Sequence, residues 1–579
     1  MKSFFNRILT VNLSTGSAQV EPAADPTLAS VLGGKGLASR LLLEKNPVGV
    51  DPLAPEAALI FAAGPAADQK VYGSARYGVF FKSPLTGLYA ESYSGGTVAD
   101  KLSRTGFDAI VISGRAERLT LLEINEQGVV FHDAEDLRGQ SCYDAEDEAL
   151  RRSGKDSAAV VIGPAGEKLV RFAIIANDRW RCAGRAGGGA LMGSKNLKGI
   201  VFRGAAKREP ADPERLQALF RELMEVSKTD VGVARYKKYG TVQMVKVANE
   251  AGVFPTNYWR AGSRPDYAEI DGDALLRVCE VKPRACPRCF MACGNLSTVR
   301  EGPYAGLTIE GPEYETIFAF AGLCLAPTLP EVMHLNDLCD RLGIDTITAG
   351  NLVGFAMLAS ERGHIDERLP FGDTAAAARL LEAIARREGL GEVLSLGIRA
   401  AARAWEMEDE AVHVKGLEPA GYDPRPLKGM GLAYAVSDRG ACHLRATFYK
   451  PELAGISPPD RMEDKAEIFV DFEDRATLFD TLILCRFYRD LMDWRRLGEL
   501  ISGLTGLDGS RENLQKIAAA VMDDTRRFNL REGLKPSDDS LPRALFRPMG
   551  DKSVSPAEIE RLVKDYYRLR GWDEGGRPR

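Results

Sequence analysis

Three cysteines fall within eight residues, Cys286-Pro-Arg-Cys289-Phe-Met-Ala-Cys293, and no other feature of the 579-residue chain narrows its fold so far. A single loop with thiols at this spacing can wrap one metal centre, and a fourth ligand must then come from elsewhere. A zinc site ordinarily adds a second C-x-x-C or a closely spaced histidine pair, and the sequence has neither. The ferredoxin run ending in Cys-Pro is also missing, so a [4Fe–4S] cubane needs a remote cysteine, for which Cys485 is the candidate. Structural zinc and three incidental thiols are the competing readings. Ten cysteines are too sparse for a disulfide scaffold. Asn6, Arg7 and Asn12 interrupt any signal-peptide core, and together these features predict a reducing, cytoplasmic location.

A chain of this length, 45% hydrophobic and 27% charged, outgrows one core and is ordinarily folded throughout. Lys and Arg total 76 against 81 Asp and Glu, and no polybasic block offers a footprint for nucleic acid. No apolar run reaches the roughly 18 residues of a membrane span. Residues 1–208 carry short β-like runs bounded by turn residues, as at Arg7–Leu13, Leu119–Ile124 and Ala158–Ile162. From Asp212 and Pro213, an N-cap and first helical residue, Leu216, Leu219, Phe220, Leu223 and Met224 recur at helical spacing. Helices are also predicted over 374–387 and 392–405. The expectation is an α+β protein with a β-rich domain over 1–208 and two mainly helical domains over 209–415 and 416–579.

Two short segments echo each other. Asp340-Arg-Leu-Gly-Ile-Asp345 and Asp480-Thr-Leu-Ile-Leu-Cys485 share an aspartate, a leucine two residues on and a ligand-type residue five after the first. A carboxylate accepts two parallel N–H bonds from an aminopyrimidinone, so two such loops could hold two pterin rings, although an aspartate near a helix end is more often a cap. Glycines in 184–193, with Arg76, Arg185, Lys195 and Lys198, would let backbone N–H groups and cations approach phosphate, or would simply form turns. Glu313 and Glu315, two apart, face one side if the stretch is extended, and one could act as a general base. Glu331 and His334 have helical ligand spacing, with a plain helix face as the alternative.

Taken in order, these segments resemble the aldehyde ferredoxin oxidoreductase family. The likeness rests on Gly33-Gly-Lys-Gly36, Gly73-Ser-Ala-Arg76, Lys82–Gly87, Glu91–Gly96, Ala183–Lys198, the cysteine triplet, Glu310–Thr316, both aspartate motifs and Arg439-Gly-Ala-Cys-His-Leu-Arg445. The resemblance implies a β-rich base and two helical domains enclosing a bis-pyranopterin tungsten cofactor (molybdenum accepting the same sulfurs), beside one [4Fe–4S] cluster on Cys286, Cys289, Cys293 and Cys485. It implies pterin binding by Asp340, Asp345 and Asp480, and Mg2+ bridging the pterin phosphates near Tyr93 and Ala183, where the family commonly has Asn at the first position. Glu315, with Glu313 beside it, would handle the proton and His443 the substrate oxygen. The activity implied is oxidation of an aldehyde to its acid, with electrons leaving to a ferredoxin or an iron–sulfur subunit, in a homodimer or a larger assembly. A branch of the family reduces aromatic acyl-CoA and ligates the metal through cysteine, a role for which Cys324 and Cys442 are the candidates. A non-catalytic electron carrier or a zinc-stabilised protein is the reading from another class. Where the family usually has Gly in the second aspartate motif, this chain has Ile483.

Overall fold

The computed structural model describes residues 1–154 and 156–579. Two six-stranded sheets lie before residue 203. The first runs, in spatial order, Ser17–Pro22, Arg7–Asn12, Ala109–Ser113, Leu59–Ala63, Arg76–Lys82 and Tyr89–Gly95. The second runs Arg181–Ala183, Ile175–Asn177, Ala158–Val161, Leu197–Phe202, Thr120–Asn125 and Gly128–Asp133. Each sheet has one parallel pair, Arg7–Asn12 with Ala109–Ser113 and Leu197–Phe202 with Thr120–Asn125; the remaining pairs are antiparallel.

Side-chain alternation along the strands explains how the sheets stack. Leu9, Val11, Phe61, Val79 and Ile112 of the first share a core with Leu122, Ile124, Val160, Ile200 and Phe202 of the second. The intervening residues of the first sheet, Ile8, Ile60, Phe80 and Val111, pack instead with Leu37, Leu41 and Leu42 of the Gly34–Lys45 helix.

After residue 203 the chain is mainly helical. Asp212 caps the Pro213–Thr229 helix by accepting from Arg215 N at 2.9 Å, and Leu216, Leu219 and Leu223 are its buried face, as their spacing predicts. The Thr374–Arg386 helix also forms as predicted. The segment predicted as one helix over 392–405 is two, Leu390–Leu394 and Ile398–Ala404, parted at Gly397, whose φ of 89° lies outside the helical range. Packing does not follow a division at 415. The Pro213–Thr229 helix shares a core with the Trp494–Thr505 and Arg511–Arg531 helices, and a larger core joins residues from 242 to 469 with the C-terminal Pro556–Arg570 helix. Sequence order fails here because helices bury their apolar stripes against whichever partner fits, not against the next in the chain.

A third sheet lies inside the helical half, formed by Cys279–Arg284, Gly294–Val299 and Thr308–Glu310. Pro283 and the charges around it hide this hairpin from strand periodicity. Residues 285–293 are its loop, so the cysteine triplet stands at the tip of a hairpin. No helix among the described residues is long and apolar enough to cross a membrane.

Candidate active site and thiol-lined cavity

The two aspartate motifs are the same structural device. The Leu329–Leu342 helix ends at Gly343 (φ 81°, ψ 47°) and the Lys465–Leu482 helix at Ile483 (φ 50°, ψ 56°), both left-handed. Asp340 and Asp480 each stand three residues before that turn. A carboxylate in the last turn faces the unfavourable end of the helix dipole, so helix stability does not account for either. Asp345 is a true cap: it accepts from Ile347 N at 3.0 Å and Thr348 N at 3.4 Å, and also from Arg185 Nε at 3.0 Å. All three aspartates line one cavity of about 350 Å³ between the sheets and the helical half. A β-branched residue in the left-handed region costs about 1–2 kcal/mol, which Gly343 avoids and Ile483 offsets by joining the core layer of Ile60, Phe80 and Phe528. Glycines set the helix end in place: a Cβ on Gly64 would lie 1.9 Å from Leu482 O, and one on Gly34 would lie 2.5 Å from Asp480 O.

Beneath the cavity runs a buried charge network. Lys35 Nζ reaches Asp438 Oδ2 at 2.6 Å and Glu91 Oε1 at 3.0 Å. Arg445 joins Glu91 to Asp480, bonding Asp480 Oδ2 at 2.6 Å, and Arg486 Nη2 reaches the same oxygen at 2.5 Å. Burial pushes the Glu91 carboxyl up, but Arg445, Lys35 and Arg439 outweigh it and hold it at about 2. Arg439, Arg445, Arg486 and Arg489 all line the cavity, yet the buried Nε of each, with Nη2 of Arg489, has no hydrogen-bond partner among the described residues. Four guanidiniums on the wall of a cavity that also carries Asp340, Asp345 and Asp480 fit a large ligand with phosphate groups and amide-like ring edges.

On the opposite wall, Glu313 stands just before the short Tyr314–Ile317 helix and Glu315 lies within it, so the stretch is not extended, and the two glutamates part company. Glu313 accepts from Thr241 Oγ1 and lines both this cavity and its neighbour, and the surface it exposes faces them. Burial raises its carboxyl above the usual range. Glu315 Oε2 accepts from Gly421 N at 2.9 Å, while Oε1 has no hydrogen-bond partner and lies 3.5 Å from His443 Nε2. Burial lifts Glu315 to about 8, against the lowering effect of Gly421 N and Arg185. Burial, with Arg439, Arg185, Arg445 and Arg489, holds His443 well below its ordinary value, so the imidazole is neutral. Its ring lies near Tyr422 and Tyr449, which stack at 3.9 Å.

Cys286, Cys289, Cys293 and Cys485 line one adjoining cavity of about 270 Å³, which shares Arg76, Tyr93, Trp180, Cys182, Glu313 and Phe487 with the first. Arg181 Nη1 lies 3.1 Å from Cys286 Sγ, Tyr488 Oη donates to Cys289 Sγ at 3.3 Å, and Cys485 N donates to Gly73 O at 2.9 Å. Among the described residues, no group of three or more His, Cys, Asp or Glu is gathered so as to hold a single metal ion. Four thiols around a shared space fit a cluster of several atoms and do not fit one zinc.

Several expectations need correction. Lys195 does not line the cavity; its ammonium donates to Pro55 O at 2.9 Å and Gly114 O at 3.3 Å. Lys198 bonds Glu167 Oε1 at 2.5 Å. The glycines of 184–193 make room for backbone, not phosphate: a Cβ on Gly189 would sit 2.2 Å from Ile174 O, and one on Gly193 would sit 2.0 Å from Gly166 O. Ala183 is buried in its strand and does not line the cavity, whereas its neighbours Cys182, Gly184 and Arg185 do. At Tyr93, near which Mg2+ is expected, the carbonyl accepts from Arg76 Nη2 at 3.2 Å and the hydroxyl donates to Glu91 Oε2 at 2.7 Å. Within the chain Glu331 closes a capping box with Thr328, and His334 stacks on Tyr304 at 4.8 Å. Neither Cys324 nor Cys442 is on the wall of either cavity: Cys324 Sγ contacts Gly350 O at 3.2 Å within apolar core, and Cys442 Sγ accepts from Arg439 Nη2 at 2.9 Å.

Sequence reasoning passed over Lys35, Glu91, Asp438, Arg486 and Arg489 as individual residues. Their signal was position: Lys35 sits within the first glycine motif, Glu91 opens the Glu91–Gly96 motif, Asp438 precedes Arg439, and Arg486 and Arg489 fall one and four residues after Cys485.

A charge-lined cavity that adjoins a pocket of four thiols defines a class, the redox enzymes with a buried reaction centre and a neighbouring relay centre. Two family models match: "Aldehyde ferredoxin oxidoreductase, N-terminal domain" over residues 8–204 and "Aldehyde ferredoxin oxidoreductase, domains 2 & 3" over residues 218–579. The chain belongs to the aldehyde ferredoxin oxidoreductase family and is an oxidoreductase of that fold. It is 36% identical to the tungsten-containing aldehyde ferredoxin oxidoreductase of Pyrococcus furiosus, across 99% of this chain and 97% of that one. It is 27% identical to the aliphatic sulfonate oxidoreductase, WOR-like subunit, of the same organism, across 100% and 96% of the two chains. Among solved structures, the active site complex BamBC of benzoyl coenzyme A reductase shares the fold, with a TM-score of 0.85 at 23% identity, across 100% of this chain and 96% of that one.

Proposed function

We propose that this chain oxidises an aldehyde to its carboxylic acid with water, using a bis-pyranopterin tungsten cofactor in the central cavity. Cys286, Cys289, Cys293 and Cys485 would hold a [4Fe–4S] cluster, which would supply one-electron transfer to a ferredoxin or an iron–sulfur partner subunit. The reading is supported above all by the Glu315–His443 pair, an acid and an imidazole side by side on the wall of a cavity that four arginines also line. Asp340, Asp345 and Asp480 would hold the ring edges of the two pterins, and Arg439, Arg445, Arg486 and Arg489 the phosphates. The bound cofactor supplies the two-electron redox chemistry.

The chain's own residues supply the proton handling. Neutral His443 donates a hydrogen bond to the carbonyl oxygen and polarises it. Glu315, protonated in most molecules at neutral pH, accepts the proton of the attacking water from its ionised fraction and exchanges it with His443 across 3.5 Å. Glu313, between the two cavities, is a second carboxyl through which a proton could follow the electrons. The positions of Cys324 and Cys442 off the cavity wall favour aldehyde oxidation over aromatic acyl-CoA reduction, which requires a thiolate on the metal. The test is turnover of the loaded enzyme with aldehyde and a viologen dye: wild type reduces the dye, and His443→Ala and Glu315→Ala keep their metals but lose turnover. A loaded enzyme that oxidises no aldehyde yet binds acyl-CoA thioesters would favour the reductase reading.

A further inference from the structure

A third, open cavity of about 930 Å³ lies beside the cysteine hairpin, with Arg288 of its loop on the wall. Tyr72, Phe220 and Met224 form part of its apolar wall, and Lys70, Lys207 and Arg221 stand on it exposed. The other cations of this groove are matched: Arg104 binds Asp68 at 2.8 Å, Arg208 binds Asp108 at 2.7 Å, and Arg288 binds Asp100 at 2.5 Å. Among the described residues, Lys70, Lys207 and Arg221 have no carboxylate partner. Against these three cations the groove sets one carboxylate of its own without a cation partner among the described residues, Glu214, so its rim is net positive on a chain of net charge −5.

The groove also adjoins the loop that carries the thiols. Arg288 lines it and precedes Cys289. Tyr72 packs edge-on against Phe290 with ring centroids 4.9 Å apart, and Phe290 packs against Tyr488 at 4.9 Å. Tyr488 Oη in turn contacts Cys289 Sγ at 3.3 Å. The groove floor is thus two aromatic contacts from a proposed cluster ligand.

We propose that this groove is the docking site for an acidic one-electron carrier protein, seated on Tyr72, Phe220 and Met224 and steered by Lys70, Lys207 and Arg221. The proposal rests on the function proposed above and specifies where its electrons leave. Aldehyde and water give carboxylic acid, two protons and two electrons, and two oxidised carriers each take one electron in successive encounters. An apolar floor with a charged rim gives fast, salt-sensitive and short-lived binding, which suits a carrier that must leave once reduced.

The test uses cofactor-loaded enzyme with two acceptors, a purified acidic ferredoxin and benzyl viologen, and the triple variant Lys70→Glu/Lys207→Glu/Arg221→Glu. At low ionic strength the variant should show a KM for ferredoxin raised about tenfold or more, converging with wild type as salt screens the rim. Its viologen turnover should stay within about twofold of wild type, because a small cation needs no docking surface. The charge-conserving variant Lys70→Arg/Lys207→Arg/Arg221→Lys should keep the wild-type KM. Unchanged ferredoxin kinetics and salt dependence in the charge-reversed variant, with viologen turnover intact, would overturn the docking site and leave the reaction standing. Absence of aldehyde-dependent viologen reduction in wild type would instead overturn the reaction itself.

Discussion

Nε2 of His443 lies 3.5 Å from Oε1 of Glu315, and that oxygen has no other polar partner among the described residues. Two titratable groups held this close, one forced neutral by burial and cations and the other lifted to about 8, form a proton-sharing pair, not a fixed ion pair. Glu315→Gln keeps the shape and removes the proton site. It should lower kcat by about 10²–10⁴-fold with metal content unchanged, measured by steady-state dye reduction and elemental analysis.

The same carboxyl sets a pH dependence. If Glu315 works as a base, kcat should climb with pH up to about 8 and level above it, and Glu315→Gln should flatten the profile. The sign for stability is opposite. A carboxyl raised to about 8 keeps a proton in the folded chain that the unfolded chain releases near pH 4.5. Its contribution is therefore complete below that pH and lost as the pH rises through about 8. Glu418 and Glu146, each raised by burial to about 7, act in the same direction. Urea unfolding from pH 5 to pH 8.5 should show stability falling, with a shallower fall in Glu315→Gln.

Arg445 holds two buried carboxylates, Glu91 and Asp480. Arg445→Met leaves both without their principal cation and should destabilise the protein by about 3–5 kcal/mol in denaturant titration, because an uncompensated buried charge is worse than none. The same variant should retain less pterin, since Asp480 would no longer be oriented.

Gly64 lies under the end of the Lys465–Leu482 helix, and a methyl group there would meet Leu482 O at 1.9 Å. Gly64→Ala must move that helix end, which carries Asp480 and leads to Cys485. Iron and tungsten retention should fall together, whereas Cys485→Ser should lose iron first; measuring both metals in both variants separates the two effects.

Much of this architecture was legible in the sequence because it rests on local rules. The strands of the first 208 residues announce themselves by turn residues and apolar runs, and the cap at Asp212 by its Pro213. The repeated aspartate motif marks a helix end with a left-handed residue three positions on, and Gly343 reveals that turn while Ile483 conceals it. What stayed hidden depends on distant contacts. The Cys279–Val299 hairpin has too irregular a pattern to be read as strands. The glycines of 184–193 look like a phosphate cradle until Ile174 and Gly166 are seen pressed against them, and the same local reading misassigned Lys195, whose partners are carbonyls 81 and 140 residues away. Arg486 and Arg489 drew no attention, since an arginine becomes a site residue only when folding brings it to the wall of a cavity.

The central claim is that Cys286, Cys289, Cys293 and Cys485 hold an iron–sulfur cluster beside a heavy-metal cofactor in the neighbouring cavity. Elemental analysis of the protein purified without oxygen from cells supplied with tungstate and molybdate tests it most directly. The account predicts about four irons and about one tungsten or molybdenum per chain. Zinc in place of iron, or iron with neither heavy metal, would contradict it.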